Sequence, residues 1–257
     1  MYLTGVTMKK QYKSEIKYLV NLIDSVQYLP NAFTIVQNDG KYVFGITSVP
    51  SHELPISKIL EYKTLYETLC DLDTKVKYSL ELAIKYSYSR YTMKKFDILK
   101  KPKGKEWLAY YYIENAASRI SSIWDMLAQF YRVRYNIAIS FDKVHYKKIF
   151  DPSKEYCSEF QSVAGTIHSY IKEEDNTDCE GAWKGNHDFM DEYRNKMTHR
   201  NSPNVAVASN LDLNLKHHPT FILKRMVEDY VQAFRFIGDI LKESMEESGQ
   251  IFENTFS

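Results

Sequence analysis

Apolar residues in this chain recur mostly at steps of three and four, the period of an α-helix, and only one segment carries a convincing strand signal. Tyr12, Ile16, Leu19, Ile23 and Val26 predict a first helix over 9–29, which Pro30 ends. The segment "FTIVQNDGKYVFGIT" follows, two β-prone runs around Asn38-Asp39-Gly40, where Asp-Gly supplies the positive φ of a tight hairpin. The stretch "SVPSHELPIS", with two prolines, reads as a linker.

Beyond it the pattern is helical. Residues 57–95 contain no Gly or Pro, and Tyr62, Leu65, Leu69, Leu72, Val76 and Leu80 form a stripe. One straight helix of that length would span roughly 55–60 Å, so a bend or break is expected. "LKKPKGKE" is a basic turn. Over 107–134, Ile113, Ala117, Ile120, Trp124, Leu127 and Tyr131 follow a 4-3-4-3-4 spacing, the seam of a core-facing helix. Asp151-Pro152 has the chemistry of an N-cap followed by proline at the first helical position, opening a helix that buries Phe160, Val163, Ile167 and Ile171. After the polar loop "EEDNTDCEGAWKG" a helix over about 187–200 is expected, then an irregular connection, then a last helix over about 220–246. That last helix turns Leu223, Met226, Tyr230, Phe234, Ile237 and Leu241 to one side. The fold class is all-α: an up-and-down bundle of four to five helices over 56–247, with residues 1–55 as a small helix plus β-hairpin attachment and 248–257 as a tail.

Composition narrows the function classes. The formal charge of +1 excludes a strong uniform basic field for coating nucleic acid, though not a local basic site. Two proportions are unusual: 21 Tyr, read here mostly as packing and interface residues, and 26 Lys against 8 Arg. "RYTMKKF", "LKKPKGK", Arg132/Arg134 and Lys147/Lys148 interleave positive charge with aromatics, as a surface tracking RNA does and as ordinary solvated faces also do. Cys70, Cys157 and Cys179 are far apart, without CxxC pairing, and suit a reducing compartment. No apolar signal core and no run of 18 apolar residues occurs, so a cytoplasmic chain without a membrane span is expected.

The chemistry-bearing stretch is "DEYRNKMTHR", residues 191–200. Phe189, Tyr193 and Met197 share one face and can anchor the helix. Arg194 and His199 are about 140° apart around the axis and about 7.5 Å along it, able to flank a shallow groove beside Asn195, especially if a second subunit forms the other wall. A histidine exchanges protons near neutral pH, an arginine offers a forked charge to a phosphate, and an asparagine orients either. Such a set suffices for metal-independent RNA cleavage that leaves a 2′,3′-cyclic phosphate.

Arg194-Asn195-Lys196-Met197-Thr198-His199 resembles R-N-x-x-x-H, the signature of the HEPN superfamily. The resemblance covers about 107–247, with 57–95 as an extra helix. It implies a dimerising helical bundle with two copies of the motif at the subunit boundary, and a ribonuclease in a toxin–antitoxin, phage-defence or RNA-processing setting. Arg194 and His199 become the expected catalytic pair and Asn195 their polar support. RNA is the expected substrate, a homodimer the expected assembly and an antitoxin protein a further partner; no cofactor or metal is implied. Thr198 and Arg200 stand beside the pair as weaker substrate contacts. Glu114 and Asp125, on an earlier helix, are weak candidates to hold Arg194, and the solvated face of an amphipathic helix is the simpler reading of them.

Other readings stay open. A non-catalytic module could hold RNA, a nucleotide or a protein in the same groove, and a His and Arg near a helix C-terminus also simply complement its dipole. His187-Asp188 with His168 and Asp229 offers the ligand types of an HD-type metal phosphohydrolase, although His187-Asp188 sits where a helix begins. His217-His218 before Pro219 reads as a helix-entry turn rather than a metal site. "HELPI" lacks the second histidine of a zinc protease, and no Gly-rich phosphate loop or G-x-S-x-G is present.

Overall fold

Burial follows the helical stripes closely. All six seam residues of 113–131 are buried, as are all six from Leu223 to Leu241. The structure, a computed structural model, describes residues 10–28, 33, 55–154, 162–176, 183–199, 202–208 and 213–256. Those residues form eight α-helices: α1 (Lys10–Asp24), α2 (Pro55–Ser87), α3 (Arg90–Lys95), α4 (Gly104–Arg134), α5 (Tyr146–Ile149), α6 (Ser162–Ile171), α7 (Asn186–His199) and α8 (Pro219–Phe256). The two runs of the expected β-hairpin at 34–47 lie outside the described residues.

The predicted break in the long helix falls at Tyr88-Ser89. Ser89 leaves helical geometry (φ −64°, ψ 147°), and its hydroxyl accepts the Thr92 N–H, capping α3. The helix α4 ends in a Schellman motif: Ile137 N–H bonds the Arg132 carbonyl at 3.0 Å, with Asn136 at φ +50° in the left-handed position.

Three expectations need correcting. Asp151-Pro152 does not open a helix directly. Asp151 instead folds a turn, its carboxylate accepting from the backbone and the hydroxyl of Ser153 at 3.0 and 2.7 Å, and α6 is described only from Ser162. There is also no separate tail from 248, because α8 runs on to Phe256. Gly249 is the sole glycine in that stretch, and a single helical glycine costs only about 1 kcal/mol. The connection after α7 is more regular than expected, carrying a two-residue antiparallel pairing of β1 (Val207–Ala208) with β2 (Leu213–Asn214).

The chain divides into two compact units that cut across the linear boundaries expected from the sequence. The first gathers residues 1–26, 73–122 and 168–232. Within it α1 is fixed by Tyr88 donating to Glu15 at 3.0 Å and Tyr18 donating to Glu228 at 3.1 Å. Buried Asp73 accepts from Tyr230 and pairs with Lys77 at 2.8 Å. The second unit gathers 27–72, 123–167 and 233–257. Its core stacks Phe33 on Tyr62 (centroids 5.2 Å apart) and sets Trp124 against Tyr146 at 5.8 Å and Phe236 at 6.2 Å. Each such fully buried side chain contributes about 1.5–3 kcal/mol by leaving water. No helix among the described residues is long and apolar enough to cross a membrane.

Candidate functional site

The motif helix α7 belongs to the first unit, and its start is set by backbone geometry. Gly185 adopts φ +63°, and a Cβ there would lie 2.4 Å from the Glu174 carbonyl and the Asp175 nitrogen, so only glycine fits. The Gly185 N–H donates to Glu173 at 2.9 Å, and Lys184 N–H donates to Asn176 at 2.6 Å, which closes the preceding loop onto the helix. Helix α7 therefore begins at Asn186, one residue before the expected start, and Asp188 in its first turn accepts the Asp175 N–H at 3.2 Å.

Beneath this end lies a fully buried guanidinium. Arg225 donates to Asp175 at 2.6 Å, to Asn186 at 2.9 Å and to the Lys184 carbonyl at 2.7 Å, and lies 4.6 Å from the centre of the Phe189 ring. Residues as far apart as 175 and 225 are thereby tied to the same helix start.

The middle of α7 is anchored by Phe189, Met190 and Tyr193, all buried. Asn204, also buried, stands 2.7 and 3.0 Å from the Tyr193 hydroxyl and donates to Glu114 at 2.6 Å. Burial pushes the Glu114 carboxyl up, opposed by the Asn204 hydrogen bond. Glu114 thus supports α7 through Tyr193 and does not hold Arg194. Asp125 does not hold it either: it belongs to the second unit, where it accepts the Tyr146 N–H at 3.2 Å at the start of α5. The two carboxylates are 11 residues apart on α4, roughly 16 Å along its axis, so they do not serve one site.

On the motif itself, Arg194 and Asn195 are half-buried and Thr198 is exposed. Asn195 links its neighbours, donating to Asp191 at 3.1 Å and accepting from Arg194 at 3.5 Å. Thr198 bonds back to the Arg194 carbonyl at 3.1 Å. Arg194 forms no ion pair with a carboxylate among the described residues, whereas Lys196 pairs with Glu192 at 2.8 Å. His199 is the last residue of α7, and Arg200 lies outside the described residues.

A groove of about 220 Å³ lies beside the same helix, lined by Asp175, Phe189, Glu192, Tyr193, Lys196, Asn214 and His217. It follows the Phe189–Lys196 side of α7, not the Arg194 side. Desolvation, reinforced by Lys196, holds the His217 imidazole below its ordinary value. No single motif marks this groove in the sequence, because its walls come from three segments.

The HD-type residue set comes together only in part. His187 Nδ1 lies 3.1 Å from Asp229, which also accepts from Tyr170 at 3.2 Å, and the His187–Asp229 pair is buried. Asp188 is instead exposed and turned to the Asp175 N–H. Among the described residues no three His, Cys, Asp or Glu side chains come together as a metal site. Of the expected basic surface, Arg132 and Arg134 are taken up by ion pairs in the second unit, with Glu61, and with Glu243 and Glu247.

No protein-family model, no curated protein and no solved structure matches the chain.

Proposed function

We propose that this chain is a HEPN-type, metal-independent endoribonuclease acting as a homodimer, with the helices built as the bundle that family resemblance implies. His199 exchanges the proton of the ribose 2′-hydroxyl and supplies one to the leaving 5′-oxygen. Arg194 stabilises charge building on the phosphate, and the 2′-oxygen attacks to leave a 2′,3′-cyclic phosphate. Asn195 acts as a positioning residue, its amide bridging Asp191 and the guanidinium.

One observation carries this reading. Arg194 is half-buried, pairs with no carboxylate among the described residues, and is kept on the flank of α7 by the Asn195 amide. An arginine meant for a phosphate must not be neutralised first. The setting of the toxin–antitoxin or phage-defence type belongs to the same proposal.

A second reading, a non-catalytic binding module, has the groove along Phe189 and Lys196 in its favour. The two separate in one assay: end-labelled total RNA and transfer RNA incubated with purified protein in excess EDTA, wild type beside His199→Ala. Discrete fragments with cyclic phosphate ends, present only with wild type, establish the ribonuclease. Intact RNA with both proteins, each folded, removes it and leaves the binding module.

A further inference from the structure

The first unit carries a surface feature that the motif does not use. Trp107 is 52% exposed, Tyr111 46% and Tyr78 63%, although large aromatic rings usually bury most of their area. Trp107 and Tyr111, one turn apart on α4, are stacked with centroids 5.5 Å apart and planes at 16°. Tyr111 meets Tyr112 edge-on at 5.2 Å, and Tyr112 stacks on Tyr86 of α2 at 5.7 Å and 8°. A continuous run of rings crosses the two helices and ends at Lys85, whose Nζ lies 5.5 Å from the Tyr86 centroid.

Charge is equally concentrated here. From Lys85 to Lys105 the chain has seven lysines and one arginine against a single acidic residue, Asp97, while the whole protein nets +1. All eight basic residues are exposed, and among the described residues only Lys100 pairs with a carboxylate, Asp97 at 2.8 Å. The turn that bears most of them is anchored. Buried Lys216 pairs with Glu106 and lies 5.0 Å from the centre of the Phe96 ring, and Pro102 is buried. Two copies of this chain meeting through the face would oppose like charges, whereas a polyanion with flat, stackable bases complements both the rings and the lysines.

We infer that this face binds single-stranded nucleic acid, bases stacking on Trp107, Tyr111 and Tyr112 and phosphates lying along the lysines of the 94–105 turn. Stacking tolerates any base, so the grip is sequence-tolerant, and a duplex hides the faces it needs. The proposal uses neither Arg194 nor His199 and stands whether or not the motif is catalytic.

The test is fluorescence anisotropy with labelled oligo(U) and oligo(dT), roughly 16 nucleotides long, and with a duplex of the same length. All proteins carry His199→Ala, so that cleavage cannot consume the probe. Trp107→Ala combined with Tyr111→Ala is expected to weaken single-strand binding at least about tenfold, with an unchanged melting temperature. Lys101→Glu combined with Lys103→Glu is expected to flatten the dependence of log affinity on log salt, by about 0.7 for each phosphate that is no longer neutralised. A ring variant that binds like its parent overturns the inference, as does equal affinity for the duplex. So does a ring variant that alters sedimentation but not binding, which makes the face an interface between copies. Absence of single-strand binding at about 50 mM salt also overturns it. A preference for oligo(U) over oligo(dT), or the reverse, decides only whether RNA or DNA is favoured.

Discussion

His218 shows how one ring sets the pH range over which a helix start stays intact. It stands immediately before Pro219, the first residue of α8, and its Nδ1 accepts the Thr220 N–H at 3.2 Å while lying 2.7 Å from the Thr220 hydroxyl. An imidazole nitrogen that accepts a backbone N–H carries no proton of its own, so the cap requires the neutral ring. Burial, reinforced by Lys216 and opposed by Glu15, pushes the His218 pKa down from 6.5 to about 4. The unfolded chain therefore binds a proton that the folded chain does not, over the interval between those values. The stabilisation from this group is complete above about pH 6.5 and declines as the pH falls toward about 4. His217 acts in the same direction, its pKa also being lowered. His218→Asn keeps a capping oxygen without the titration. Its urea midpoint is expected to fall less than that of wild type between pH 7 and pH 5, and parallel curves would remove His218 as the cause. The histidine pair before proline was legible as a helix entry from sequence alone. The reach of Nδ1 to Thr220 was not, because it depends on the backbone angle of entry.

At the scale of the element, stripes were legible and partners were not. A period of 3.6 reports which side of a helix leaves water, so the seams of α4 and α8 and the anchors Phe189 and Tyr193 could be read directly. Hydrogen-bond pairing across 90 residues has no such signature. Glu114 reads as part of a polar stripe with Ser118, Ser121 and Asp125, yet it is half-buried and bonded to Asn204, whereas Asp125 serves a different unit. Asn204 lay in a stretch that reads as an irregular connection, and it holds α7 in place. Asn204→Ala leaves a buried tyrosine hydroxyl without its amide partner and a partly buried carboxylate without its donor. A loss of about 2–6 kcal/mol follows at roughly 1–3 kcal/mol for each unsatisfied group. Glu114→Gln should cost less, since its amide oxygen still accepts from Asn204 and no charge is buried. Thermal and urea unfolding of both variants checks the ranking; equal losses would show that the Glu114 charge itself, not the hydrogen bond, matters.

For the whole molecule, linear reading finds elements in order but not how the chain is divided. Each compact unit is assembled from three stretches separated by dozens of residues, and α2, α4 and α8 each contribute residues to both. No composition shift or linker marks such a division, so a boundary near residue 55 was the one that could be read. The proposed reaction makes its own demand at this scale. On one α7 helix, Arg194 and His199 diverge by about 140° and stand about 7.5 Å apart along the axis. A single phosphate is better flanked by Arg194 of one subunit and His199 of its partner across a two-fold axis. Arg194→Ala and His199→Ala, each inactive alone, would then complement when mixed. Free exchange makes half of the dimers mixed, and each mixed dimer keeps one intact site out of two. Equal amounts should therefore recover about a quarter of wild-type cleavage for the same total protein. Mixed dimers that form, as judged by co-purification of differently tagged variants, but cleave no more than either variant alone would place both residues of any site on one chain. The shared-site geometry would then be wrong even if the ribonuclease assignment held.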